Sequence, residues 1–271
     1  MSREPTQGCD LRSPPEIARR IESAAEVRVR AGLLRQFVLA ILAGAFIAAG
    51  ANAFTAAMVG APAGGLPRVV GGMGFCLGLI LVVVAGAELF TGNALQVAAC
   101  LSRRIKATEL LRSWLVVYAG NIVGSVAAAA IVFGSGQADM HGGQAGRLMV
   151  AIAAGKLGYT FLEAFLLGVL CNALVCLAVC MAAAGRSVVD KVAAIVPPIT
   201  VFVLAGFEHS VANMYFVPLG LLIDGGATPE LTCAAFLWRN LLPVTLGNIV
   251  GGSLLVGAAY WLAYLRGNRD N

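Results

Sequence analysis

Two short polar stretches, at positions 86–93 and 206–213, interrupt long apolar segments of the chain. Each begins with Gly, has Glu at its third position and ends with Asn, and the two lie 120 residues apart. Inside a membrane, polar and Gly-containing interruptions occur where the backbone lines a cavity or is buried in protein. When they recur at corresponding places in two halves of a chain, they indicate a binding or transport site.

The apolar content of the chain places it in a lipid bilayer. Of its residues, 59% are hydrophobic and 12% are charged, which is typical of a membrane protein with several spans. A helical span needs about 20 consecutive apolar residues. Six runs have this length, and the second and fifth contain the polar stretches. The runs are roughly 33–58, 69–100, 111–134, 159–184, 190–222 and 236–265.

Basic residues predict the orientation of the spans. The N-terminal tail, the loops at 100–112 and 184–191 and the C-terminus hold 15 of the 19 Lys and Arg residues, and the loops on the other side hold 4. Lys and Arg accumulate in cytoplasmic loops. We therefore expect a multi-pass protein of the inner (plasma) membrane with both termini in the cytoplasm, and we interpret the basic residues as orientation signals rather than as a nucleic-acid site.

The repeat extends beyond the two polar stretches. The segment Gly-Asn-Ile-Val-Gly at 120–124 recurs at 247–251, an offset of 127 residues. Glycines one helical turn apart let helices approach closely in lipid, so we interpret this motif as a packing site. Each half holds three spans, and an odd number places the second half upside down relative to the first. The predicted fold is all-α and integral to the membrane, with six transmembrane helices in two inverted three-helix repeats and with spans two and five broken.

A single transmembrane domain, expected to be a channel, covers residues 1–271. Ser13, Pro14 and Glu16 are typical of a helix start, which predicts an amphipathic helix on the cytoplasmic surface before the first span. The predicted parts are 1–32 for this N-terminal helix, 33–134 for the first repeat, 135–158 for a linker and 159–266 for the second repeat.

Side chains in the polar stretches have the chemistry of an ion pathway. His209 is one of two histidines, and an imidazole beside a broken span can exchange a proton near neutral pH, so a functional role is favoured. Thr91 adds a hydroxyl group, and half-helix ends offer N–H groups that suit a small anion. Glu88 and Glu208 would repel an anion. A structural role is favoured for both, either accepting N–H groups of the breaks or staying protonated.

Lys156 is expected at the outer entrance of the fourth span. A cation at an entrance raises the local concentration of anions. A lysine that extends from the apolar region to the membrane surface explains the same position. The spacing alone leaves both interpretations open.

The arrangement of the reactive side chains disfavours an enzyme. Glu208, His209 and Ser210 are consecutive, and consecutive residues of a helix point about 100° apart, so they cannot form a catalytic triad on one face. The cysteines have no His or carboxylate at metal-ligand spacing, and we interpret them as small apolar residues without a metal, disulfide or cofactor role. They are Cys9, Cys76, Cys100, Cys171, Cys176, Cys180 and Cys233.

At its motifs the chain resembles the formate/nitrite transporter family, from about residue 30 to 266. The resemblance is carried by Gly-Ala-Glu-Leu-Phe-Thr at 86–91, by Gly-Phe-Glu-His-Ser-Val-Ala-Asn-Met at 206–214 and by the segment 240–248. It implies a homopentamer with a separate pore through each six-span protomer, in a fold similar to that of aquaporins. Within the family the chain is closest to the formate branch, although Gly92 after Thr91 is closer to nitrite members.

The resemblance also implies a role for each pore residue. Thr91 and His209 are expected at the centre of the pore. Lys156 is expected to attract the substrate anion in the outer vestibule. The residues expected to support the histidine are Asn172, Glu208 and Asn213. The residues expected to form two apolar constrictions are Phe75, Leu79, Leu89, Phe90, Phe202 and Leu204.

Together these expectations predict a membrane channel for formate and similar small monovalent anions. Its predicted partners are the anion, protons and the lipid bilayer. A bare ion crosses a ring of Phe and Leu only at a high cost in free energy. We therefore expect the substrate to pass as the neutral acid. Either His209 supplies the proton, or the substrate takes it up because its own pKa rises in the dry pore. Direct conduction of the anion past a cationic His209 is the alternative mechanism. Nitrite or hydrosulfide is the alternative cargo, and a membrane-embedded enzyme is the alternative from another functional class.

Overall fold

The computed structural model describes residues 11–62 and 64–267. Within these ranges the chain is helical and contains no β-strand. A short 3₁₀ turn at Gln137–Asp139 lies between the fifth and sixth helices. The helices are α1 Pro14–Val29, α2 Leu33–Met58, α3 Leu66–Gly86, α4 Phe90–Leu101, α5 Ala107–Gly134, α6 Gln144–Lys156, α7 Phe161–Ala184, α8 Val188–Ala205, α9 Ser210–Asp224 and α10 Cys233–Tyr264.

Six of these helices are long and apolar enough to cross a membrane, namely α2, α3, α5, α7, α8 and α10. They lie in the six apolar runs of the sequence, so the prediction of six membrane helices is confirmed. The shorter apolar helices α4 and α9 occupy the remaining parts of the second and fifth runs. Each of these two runs therefore contains a long helix followed by a short one.

A glycine in the left-handed conformation stands at the end of both α3 and α8. Gly86 has φ of 84° and Gly206 has φ of 74°. A residue with a Cβ is strained at these angles, whereas Gly adopts them readily. The chain then continues in an extended conformation, as at Ala87 with φ −113° and ψ 166°. The polar stretch thus begins where a glycine ends the regular helix.

The two halves of the chain pack in the same way. α2 packs along both α3 and α5, and α7 packs along both α8 and α10. The close approach of these helices to each other depends on the repeated glycine motif. A Cβ on Gly124 would overlap the backbone of Ile41 in α2, and a Cβ on Gly251 would overlap the backbone of Val169 in α7. These contacts agree with the packing role inferred for the motif.

α1 starts as predicted and is tethered to the end of α7. The hydroxyl and the N–H of Ser13 donate to the Glu16 carboxylate, each at 2.7 Å, and these hydrogen bonds lower the pKa of Glu16. Arg12 donates to the carbonyl oxygens of Gly185 at 2.7 Å and Ala183 at 3.0 Å. Carbonyl groups at a helix C-terminus lack helical partners, so Arg12 satisfies them and fixes α1 against the bundle.

The linker contains a helix that the sequence analysis did not predict. Lys156 is the last residue of this helix, α6, and α7 begins only at Phe161. Met149 and Ala153 of α6 are buried, and α6 packs along α9. A 13-residue helix is marginal by itself, and packing against a neighbour stabilises it. The position of Lys156 is therefore set by α6 and not by the fourth span.

Replacing Gly206 with Ala should destabilise the protein. The left-handed conformation costs a residue with a Cβ about 1–2 kcal/mol, and φ at Gly206 is 74°. We expect Gly206→Ala to lower the thermal unfolding midpoint of the detergent-solubilised protein by about 2–4 °C per kcal/mol. Gly155→Ala is the control, because Gly155 lies in α6 and an added Cβ meets no atom within 4 Å. An equal effect of both substitutions would contradict this explanation.

Candidate functional site

Asn121 holds the first helix break in place. Its side-chain carbonyl accepts the backbone N–H of Phe90, the first residue of α4, at 2.9 Å. Its amide group donates to the carbonyl of Glu88 at 3.0 Å and to that of Ala40 in α2 at 2.8 Å. The side chain is fully buried. One asparagine of α5 thus supplies partners that the interrupted helix cannot provide.

Asn248 holds the second break with the same set of bonds. It accepts the N–H of Ser210, the first residue of α9, at 2.9 Å. It donates to the carbonyl of Glu208 at 3.0 Å and to that of Gly168 in α7 at 2.8 Å. Sequence analysis treated these asparagines only as part of a packing motif. The sequence feature that could have identified them is that each asparagine directly follows the first glycine of the repeated segment.

Glu208 is a buried carboxylate surrounded by donors. Only 1% of it is exposed. It accepts from the ammonium group of Lys156 at 2.6 Å, from the amide of Asn213 at 2.7 Å and from the amide of Asn240 at 3.1 Å. Asn240 also donates to the backbone carbonyl of Lys156 at 2.8 Å. The sequence analysis missed Asn240, which links α10 to both members of the ion pair.

Glu88 has the matching position at the first break. It accepts from the amide of Asn93 at 2.7 Å, and its other oxygen lies 3.3 Å from the Arg28 guanidinium of α1. The carboxylates therefore bind amides and cations. The expectation that they accept the N–H groups of the breaks is wrong for Phe90 and Ser210, whose N–H groups bind asparagines instead.

His209 and Thr91 meet between the two breaks. The Nε2 atom of His209 lies 2.9 Å from the hydroxyl oxygen of Thr91. The Nδ1 atom accepts the backbone N–H of Ala212 at 3.1 Å. A neutral imidazole has one donor and one acceptor nitrogen, so the proton is on Nε2 and is donated to Thr91. Both side chains are buried, with exposures of 3% and 0%.

The residues expected to support the histidine bind other groups. Asn172 donates to the backbone carbonyl of Thr91 at 3.1 Å and to that of Asn248 at 2.6 Å. Asn213 binds Glu208 and Asn240. Among the residues that the structure describes, the hydrogen-bond partners of the His209 ring are Thr91 and Ala212. Asn172, Glu208 and Asn213 thus do not bond the ring itself, and Asn172 acts on it through the backbone of Thr91. Their support of the histidine stays a prediction.

Two separate cavities are lined by His209 or by neighbours of Thr91. The first, about 220 Å³, is called the α1-side cavity because Arg20, Arg28 and other α1 residues form one wall. The second, about 350 Å³, is called the Lys156-side cavity and is lined by Lys156 and His209 among others. Gly92, which follows Thr91, lines the α1-side cavity. His209 thus contributes to the wall of one cavity, and the residue after Thr91 contributes to the wall of the other.

Apolar side chains from the predicted constrictions line both cavities. Phe75 and Phe202 line the Lys156-side cavity, and their rings meet edge to face with centroids 5.3 Å apart. Leu79 and Leu89 line the α1-side cavity. All four are at most 4% exposed. These residues were assigned to constrictions from the family resemblance, and that assignment stays a prediction. Phe75 and Phe202 are in contact, and Leu79 and Leu89 line the same cavity.

The other two residues assigned to constrictions have different surroundings. Phe90 packs against Tyr118 and Trp114 of α5, with ring centroids 4.8 and 6.1 Å away. Leu204 is 41% exposed and lines neither cavity. It follows Phe202 by two positions, which places it about 200° around the helix. The assignment of Leu204 to a constriction is therefore wrong.

The sequence matches the family model for the formate/nitrite transporter over residues 15–262. The chain belongs to the formate/nitrite transporter family. It is 42% identical over 275 residues to the formate channel FocA of Escherichia coli strain K12, with 96% of each chain covered. This transporter is a multi-pass membrane protein, and its family is one of transporters rather than enzymes.

Two solved structures resemble this transporter over most of its length. A pentameric formate channel with formate bound is 41% identical, with a TM-score of 0.78, and the match covers 86% of this chain and 98% of that chain. An FNT family ion channel is 30% identical, with a TM-score of 0.84, and the match covers 92% and 98%.

Within the described part of the transporter, no group of three or more His, Cys, Asp or Glu residues is placed to hold a metal ion. Cys9 lies outside the described residues. The other six cysteines are free thiols. Cys176 donates weakly to the carbonyl of Thr91, with sulfur and oxygen 3.4 Å apart, so it contributes to the wall behind the central pair.

Replacing Asn248 with Leu should destabilise the backbone at the second helix break. The substitution keeps the volume but leaves the Ser210 N–H and two carbonyl groups without their partner. Each buried group left unpaired costs about 1–3 kcal/mol. We expect a large fall in the thermal unfolding midpoint in detergent. Asn52→Leu is the control, because Asn52 accepts a single hydrogen bond, from Tyr215 at 3.0 Å. If the two variants unfold at the same temperature, Asn248 does not hold the break.

Proposed function

We propose that the protein is a membrane channel for formate and similar small monovalent anions, which pass as the neutral acid. The observation that carries the proposal is the buried hydrogen bond between His209 and Thr91, next to two cavities that apolar side chains line in part. Formate channels among the relatives support the choice of cargo. Protons are the second permeant species.

The apolar constrictions explain why a proton is needed. A carboxylate that leaves water for a ring of Phe and Leu loses its hydration, and the effective penalty is several kcal/mol for each ion. The same low dielectric favours the protonated form of an acid. An anion that enters a cavity therefore takes up a proton as it reaches Phe75 and Phe202 or Leu79 and Leu89, and crosses uncharged.

His209 acts in this mechanism as a neutral hydrogen-bond donor. Its Nδ1 atom accepts the N–H of Ala212, and an imidazolium has donors on both nitrogens. Protonation of the ring would place two donors face to face. The proton that crosses consequently comes with the substrate from the cavity water. Conduction of the bare anion past a cationic His209 would require the Ala212 bond to break.

Nitrite is the second candidate cargo. Gly92 follows Thr91 and lines the α1-side cavity, and this glycine is the feature in which the sequence is closer to nitrite members of the family. Without a side chain at position 92, the cavity beside Thr91 is wider. Transport of nitrite at a rate equal to or above that of formate would favour this candidate.

We also propose a homopentamer in the plasma membrane with both termini in the cytoplasm. A pentameric relative supports the assembly. The arginines of α1, among them Arg20 and Arg28, support the orientation, because basic residues favour the cytoplasmic side. The α1-side cavity is then the inner vestibule and the Lys156-side cavity the outer one, with residues 33–134 and 159–266 as the inverted repeats.

Formate uptake into liposomes tests the proposed function. We expect the purified protein to carry formate and protons together, with faster uptake at lower external pH because more of the substrate is protonated. His209→Ala removes the central donor, and we expect coupled uptake to be lost. His141→Ala is the control, since His141 lies in the linker away from both cavities. Formate currents without accompanying proton movement would refute passage as the neutral acid.

Arg68 contributes net positive charge to the outer vestibule. Lys156 lines the same cavity, but its ammonium group is paired with Glu208 at 2.6 Å. Arg68 donates to the carbonyl of Val203 at 3.1 Å, and no carboxylate of the described residues lies within ion-pair distance of it. Arg68 therefore supplies charge that Glu208 does not neutralise, and we assign it a share in attracting the anion.

Removal of the Arg68 charge should slow uptake from the outer side. We expect Arg68→Gln to lower the initial rate at low ionic strength by about tenfold, and we expect high ionic strength to abolish the difference because salt screens the charge. Arg147→Gln is the control, because Arg147 lies on α6 at the same side of the protein but outside this cavity. A salt-independent loss in Arg68→Gln would indicate a structural role instead.

A further inference from the structure

Gln96 is a buried amide without a hydrogen-bond partner. It lies in α4, and only 2% of the residue is exposed. Neither its Nε2 nor its Oε1 atom has a partner among the described residues. A buried polar group left unpaired is unfavourable. Since both halves of the amide are unpaired, Gln96 is ready to donate one hydrogen bond and to accept another.

The position of Gln96 connects this unpaired amide with the transport pathway. Gln96 lines the α1-side cavity, together with Leu79, Leu89 and the cationic residues Arg20 and Arg28. The Arg28 charge is shared with Glu88 at 3.3 Å. A permeant in this cavity is therefore attracted by cations and comes next to Gln96 and the apolar leucines. The Gln96 amide atoms are covered by neighbouring side chains in this structure, so contact with the permeant requires the side chain to rotate into the cavity.

We infer that Gln96 binds the carboxyl group of the permeant in the α1-side cavity and selects planar carboxylic acids. This inference rests on the proposed function and names the substrate class more closely. An amide donates through Nε2–H and accepts through Oε1. It can donate to a carboxylate, and it can also form two hydrogen bonds with the C=O and O–H of a protonated carboxyl group.

The chemistry of an amide suits the point where the permeant changes its charge. An arginine or lysine has donors only and holds the anion better than the neutral acid. Gln96 holds both forms, so the permeant keeps a partner while it gains or loses its proton beside Leu79 and Leu89. A monatomic anion such as chloride, or hydrosulfide with its single heavy atom, cannot occupy donor and acceptor of one amide in this paired way.

Substitution of Gln96 by Leu tests the inference. We expect formate flux from the α1 side to fall about tenfold, because the variant loses one hydrogen bond to a charged group. The flux is measured at low formate concentration in oriented liposomes. Hydrosulfide flux should be unchanged, so the ratio of the two fluxes falls by the same factor. Because an unpaired buried amide is removed, the unfolding midpoint without ligand should stay equal or rise.

Ser113→Ala is the matched control. The Ser113 hydroxyl is also buried and without a partner, but Ser113 lines neither cavity. We expect its formate to hydrosulfide ratio to equal that of the wild type. A change in Ser113→Ala as large as that in Gln96→Leu would overturn the inference, because loss of any unpaired buried group would then have the same effect.

A second variant and a binding measurement keep the inference testable if Gln96→Leu does not fold. Gln96→Met preserves an unbranched side chain, and sodium formate should raise the unfolding midpoint of the wild type more than that of Gln96→Met at equal ionic strength. An unchanged flux ratio in a folded variant, or an equal formate effect on both midpoints, overturns the role of Gln96. Failure of the wild type to carry formate would instead overturn the proposed function.

Discussion

Backbone polar groups in the interior of a membrane have no water to bind, and this constraint governs the centre of the structure. A helix that stops in mid-membrane leaves N–H and C=O groups without partners. Asn121 and Asn248 supply the missing partners with almost identical distances in the two halves. These two amides stabilise the extended residues between the half-helices, which in turn set the positions of Thr91 and His209.

Segments outside the six spans complete the charge balance of the breaks. Glu88 is paired with Arg28 from α1, and Glu208 is paired with Lys156 from α6. A buried carboxylate without a partner is strongly unfavourable. The N-terminal helix and the linker helix therefore stabilise the two breaks together with the spans, and the motion of either would leave a buried carboxylate without its cation.

The main features of the fold were predictable because they depend on neighbouring residues. Hydropathy over about 20 residues located the six membrane helices, and the glycines at 86 and 206 located the breaks, since a left-handed residue ends a helix locally. Predictions failed where direction around a helix mattered. Leu204 was assigned to a constriction by resemblance, yet its helical angle from Phe202 turns it outward.

The candidate site was predictable in its members and not in its contacts. Repetition of a polar stretch identified His209 and Thr91, because such residues are costly in lipid and are retained where they have a role. Their hydrogen bond joins residues 118 positions apart, and Asn248 reaches Glu208 across 40 positions. The sequence by itself determined which segments cross the membrane and where they stop, since both follow from local hydropathy and local backbone angles. Only the tertiary structure decided which donor meets which acceptor, because that choice depends on how helices distant in the chain pack together.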